Sequence, residues 1–180
     1  CMLLVSLSLC ARAQIRDTLI ISQGDVTIEL DDQGYHHIRY GSNYVMEAGA
    51  PELPIVTKQY YIPHSAEDVQ LIANVLGEQN LEGIYNIYPS QGAVPTNQVS
   101  HHFAELSEEW NDTIYPSTSA EIVSDSRIFG YRIVTVCYYP FVYNAENGRL
   151  TTRNVAISLD YTIGAVEDSK ASQSAYRKNK

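Results

Sequence analysis

The chain has 180 residues, enough for one domain with short appendages and too few for two full ones. Hydrophobic residues make up 44%, which excludes wholesale disorder, and the net charge of −9 comes with no basic block. That balance excludes a phosphate-binding nucleic-acid face and argues against docking on anionic lipid.

Met2 to Leu9 is an apolar run too short to span a bilayer, which needs about 20 residues. Ala11-Arg12-Ala13 follows with the small-x-small pattern of a signal-peptidase site, so residues 1–13 are expected to be a signal peptide cleaved after Ala13. The basic front of such a leader is missing, and we read Cys1 as falling inside it. Cleavage removes Cys1 and Cys10, leaving Cys137 alone and no internal disulfide framework. The expected location is secreted or on the cell surface, with the export machinery as a transient partner and no membrane association after leader removal.

From residue 25 the dominant period is two. Val26, Ile28 and Leu30 alternate with polar residues, Asp31-Asp32-Gln33-Gly34 is turn chemistry, and Tyr35 to Tyr40 resumes the extended pattern, which predicts a hairpin. The two prolines of Gly49-Ala50-Pro51-Glu52-Leu53-Pro54 exclude a helix interior there. Ile55 to Ile62 reads as a strand stopped by Pro63. Val69, Leu71, Ala73 and Val75 alternate as another, and Ile84 to Tyr88 as a further one stopped by Pro89.

Residues 90–119 are the least regular stretch, with a short helix conceivable over Ala104 to Trp110. Arg127 to Tyr139 is apolar at both parities, the pattern of one strand buried on two faces. Asn144 to Gly148 turns the chain, and Val155, Ile157, Leu159, Tyr161 and Ile163 alternate as a strand with one buried face. About nine strands without βαβ spacing predict an all-β fold, an antiparallel β-sandwich. Residues 14–44 form its N-terminal hairpin region, 45–163 its core, and 164–180 a polar basic linker.

Chemistry is sparse. Cys137 with His101 and His102 has the composition of a nucleophile and base, yet a thiol inside an apolar strand has a raised pKa and is inert, so no catalytic residue is assigned. His36-His37 and His101-His102 are adjacent pairs, and neighbours on a strand face opposite ways, so neither pair chelates one metal by itself. Asp31-Asp32 suits a hairpin turn better than a calcium loop. No metal and no cofactor are expected.

Three landmarks resemble the gingipain-type propeptide domain. These are Gly49 to Val56 with Ile62-Pro63, then Tyr88-Pro89-Ser90-Gln91-Gly92, then Phe129-Gly130-Tyr131-Arg132 running through Pro140-Phe141-Val142-Tyr143-Asn144 to Gly148-Arg149-Leu150. The resemblance covers roughly residues 45–163, in order and with suitable spacing. It implies a β-sandwich prodomain between a signal peptide and a caspase-like cysteine peptidase domain, in precursors of Bacteroidetes-type bacteria exported by type IX secretion. The implied role is non-catalytic: a folding aid and latency inhibitor whose partner is the cognate peptidase domain in cis.

If that peptidase cleaves after basic residues, a basic side chain on an exposed loop is the expected inhibitory contact. Arg127 is the first candidate, with Lys58 and Arg149 behind it, and release is expected from cleavage at Arg177, Lys178 or Lys180. The alternative is a secreted β-sandwich binding module for glycans or surface proteins, whose 14 tyrosines offer sugar-stacking surface.

Overall fold

The computed structural model describes residues 11–92, 103–110 and 113–163. Residues 1–10 of the expected leader 1–13, His101 and His102, and the linker with Arg177, Lys178 and Lys180 lie outside the described residues. Eleven antiparallel strands make up the described chain: β1 (Ala11–Leu19), β2 (Thr27–Leu30), β3 (His36–Arg39), β4 (Asn43–Tyr44), β5 (Pro54–Pro63), β6 (Ala66–Asn80), β7 (Ile114–Tyr115), β8 (Ala120–Ile128), β9 (Tyr131–Tyr138), β10 (Phe141–Asn144) and β11 (Arg149–Ile163). No described helix is long and apolar enough to cross a membrane.

Two sheets carry the fold. In the first, β11 is the spine: β6 pairs along one edge, and β1 and then β10 with β7 take the other. The second runs β4-β5-β9-β8, and β2 with β3 forms a separate ribbon. The alternation read from Val155 to Tyr161 is what lets β11 be a spine, because it puts one row of apolar side chains against the facing sheet. Val155, Ile157, Leu159 and Tyr161 meet Ile62, Val134, Val136 and Tyr138 there, in one buried cluster with Leu19 and Ala120. A second cluster, with Ile38, Leu53, Ile87, Phe141 and Leu150, holds the ribbon and the proline-rich segment onto the sandwich.

The strand predicted from Arg127 to Tyr139 is instead the turn and second arm of a hairpin. Phe129 and Gly130 have φ of +49° and +83°, so the chain reverses between β8 and β9, with Ile128 opposite Tyr131. A run of apolar residues hides such a turn, because only Gly130 announces it. Two-face burial holds only at the far end of β9, where Val136, Cys137 and Tyr138 are covered.

Ile84 to Tyr88 does not pair as a strand. It touches the ribbon by a single bridge, Ile87 to His36, and Pro89 bridges Pro51. Its donors are instead used singly, Tyr85 N–H to the Gly148 carbonyl and Tyr88 N–H to that of His36, and Pro89 has none to extend a ladder. The helix conceived over Ala104 to Trp110 shrinks to a 3₁₀ turn at Glu108–Trp110. β1 and β8 had no counterpart in the sequence pattern: Asp17 interrupts the apolar alternation of Ala13, Ile15 and Leu19 in β1, and β8 is mostly exposed, so its period is weak.

Candidate interaction site

Arg127 lies on β8, two residues before the apex of the β8–β9 hairpin, and not on a loop. It stands across from Arg132. Two like charges at opposed positions repel, and Asp125 resolves this by gripping Arg132 from two sides, Nε at 2.8 Å and Nη2 at 2.5 Å. Arg132 Nη1 also donates to the Ala66 carbonyl at 2.5 Å, which ties the hairpin to β6. The hydrogen bonds from Arg132, helped by the charges of Arg132 and Arg127, hold the Asp125 carboxyl below its ordinary value. Arg132 is therefore a fixed strut, and Arg127 is the exposed cation of the pair.

The opposite face of the same hairpin is apolar. Ile128 and Tyr131 pair across the turn, Ile133 follows, and Tyr61 of β5 lies beside Ile133. Strand alternation places these four side chains on the outer face of the sheet, with Phe129 at the apex. Ile128, Phe129, Tyr131 and Tyr61 are all exposed.

Lys58 occupies a different environment. It points between the sheets, donates to Asp17 Oδ2 at 2.8 Å and lies 5.3 Å from the Tyr138 ring centre. Tyr60 donates to the same oxygen at 2.6 Å, and the Tyr60 and Tyr138 hydroxyls are 2.5 Å apart. Asp17 sits on β1 at a position where the alternation of Ala13, Ile15 and Leu19 calls for an apolar residue. Burial pushes its carboxyl up, and the hydrogen bonds from Lys58, Tyr60 and the Thr18 amide outweigh this and leave it below the ordinary value. Burial also raises the Tyr138 phenol, to about 12. The cluster is a polar staple from β1 to β5 and β9.

Arg149 opens β11 beside the Asn144–Gly148 turn and is exposed, its N–H bonded to Asn147 Oδ1 at 3.1 Å. Ala13 lies within β1 opposite Tyr161. Cys137 is 2% exposed, and burial, with Glu121 nearby, pushes its thiol up, the reverse of what a nucleophile requires. His36 accepts the Asn86 N–H at 3.0 Å, while His37 lies 3.0 Å from Asp31 Oδ2 and stacks on Tyr88. Asp31 accepts the Gln33 and Tyr35 amides, the turn role read from the sequence. Among the described residues no group of three His, Cys, Asp or Glu is placed to hold a metal ion.

The three basic candidates are thus not brought together: Arg127 is on β8 near a hairpin apex, Lys58 between the sheets and Arg149 at a turn. What the sequence did not single out is the apolar company of Arg127. The signal for it was Phe-Gly, a two-residue hairpin centre, read instead as strand interior.

No protein-family model matches the sequence, and no curated protein matches it. Solved structures do. A chain of the complex of the pro- and mature domains of RgpB from Porphyromonas gingivalis is similar with a TM-score of 0.60 and 16% identity, covering 96% of this chain and 91% of that one. The structure of gingipain K from the same organism, solved for its zymogenic latency, matches with a TM-score of 0.60 and 18% identity over 86% of this chain and 100% of that one. The described strands and these matches agree with the resemblance read from the sequence: this chain has the gingipain-propeptide fold.

Proposed function

We propose that this chain is the N-terminal prodomain of a secreted gingipain-type cysteine endopeptidase precursor. It performs no reaction itself. It binds the peptidase domain in cis, assists its folding and keeps it latent until cleavage in the segment of Arg177, Lys178 and Lys180 releases it. The observation that carries this reading is a fold shared along nearly the whole chain with a structure of pro- and mature domains together. Two further features support it: the one described cysteine is a covered core residue, and an exposed cation, Arg127, stands on β8 two residues before a hairpin apex. Export by a signal peptide ending at Ala13, through a type IX route, belongs to the same reading.

The test is inhibition. The peptidase domain encoded by the same precursor is refolded with and without this chain, and turnover of a peptide substrate is followed. The chain is expected to raise the folded yield and to suppress activity in a saturable manner. Peptidase that folds and cleaves equally well with and without the chain ends the proposal.

A further inference from the structure

The β8–β9 apex breaks two rules at once. Its two central residues both have positive φ, the geometry of a type I′ hairpin turn, for which Asn-Gly is the favoured pair. Gly130 complies. Phe129 does not: a side chain with a Cβ is strained at φ +49°, and Asn suffers least there. Phe129 is also 97% exposed, so the ring gains nothing from the fold in return. Around it Ile128, Tyr131 and Tyr61 are 47, 59 and 61% exposed on one face. Sequences violate local rules at places where function compensates, and contiguous exposed apolar side chains mark contact sites.

The shape and charge select the partner. The apex is convex, so it enters a recess. A second copy of this chain is a poor occupant, because two chains of net charge −9 repel each other. A recess apolar on one wall and acidic on the other complements Ile128, Tyr131 and Phe129 on one side of the hairpin and Arg127 on the other.

We infer that the β8–β9 apex is an anchoring knob that inserts Phe129 into an apolar recess of the precursor's peptidase domain, with Ile128, Tyr131 and Tyr61 packed around it and Arg127 paired to a carboxylate at the rim. This rests on the prodomain reading above and names the surface through which it acts.

Phe129→Asn separates a contact role from a structural one, since it suits the turn better and deletes the ring. Binding of this chain to the isolated peptidase domain of the same precursor is measured by calorimetry beside the melting temperature of each variant. The expected result is a melting temperature equal to or above that of the parent, with an affinity at least tenfold weaker. Affinity within twofold of the parent overturns the knob and leaves the prodomain reading standing. A melting temperature and an affinity that fall together also overturn it, because the ring is then part of the fold. A parent chain that binds the peptidase domain not at all ends both, and retention on a glycan affinity gel in that case favours the binding-module alternative.

Discussion

Asp17 is the place where one substitution reports on how the N-terminal strand is held. Replacing it with Ala removes the acceptor of Lys58 Nζ at 2.8 Å and of Tyr60 OH at 2.6 Å. Hydrogen bonds to a charged group contribute about 1.5–3 kcal/mol each. Two relaxations reduce the loss. The Tyr60 and Tyr138 hydroxyls retain each other, and the Lys58 side chain, 33% exposed, turns to water. We expect a net cost of about 2–3 kcal/mol. Urea unfolding checks this, as a lower midpoint at unchanged slope.

The pH dependence gives an independent check with a definite sign. The folded Asp17 carboxyl lies below its ordinary value, so the native state binds the proton less readily than the unfolded chain. Its contribution is complete above the ordinary aspartate range, near pH 4, and disappears as pH falls through the lower folded value. The stability gap between parent and Asp17→Asn should therefore be constant from neutral pH down to about pH 5 and close below it. A gap under about 0.5 kcal/mol at pH 7, or one that does not narrow in acid, refutes the staple and leaves β1 held by its ladder to β11 alone.

Gly148→Ala should destabilise by about 2 kcal/mol or more in the same assay, because φ is +65° and the new Cβ falls 2.6 Å from Ile84 Cγ2 and 3.0 Å from the Tyr85 carbonyl. Cys137 should not react with a thiol reagent in the native chain and should label fully in urea; rapid native labelling contradicts its burial. Leu159→Ala, fully buried between the sheets, should cost about 2–5 kcal/mol, and a smaller loss means that the inter-sheet cluster repacks.

Several elements were legible without the structure. The period of two in Val155 to Ile163 is a local consequence of one covered face, and it survives as β11. Asp31 and Gly34 mark the β2–β3 turn because their preferences are intrinsic to single residues. The three landmarks pointed to the fold that the solved structures share. An inward Asp17 broke the alternation of β1 and little burial left β8 a faint pattern, so both went unread, and Phe129-Gly130 passed for strand interior amid apolar neighbours.

What the sequence alone determined is the strand-rich class, the buried parity of β11 and the place of Cys137 in apolar company, all of which follow from neighbours a few residues away. Only the tertiary structure decided that Lys58 is consumed by Asp17, 41 residues distant, while Arg127 faces solvent beside an exposed aromatic knob. Charges of one kind look alike in a sequence; pairing across two sheets is a long-range event, and it alone separates a structural cation from one left to meet a partner.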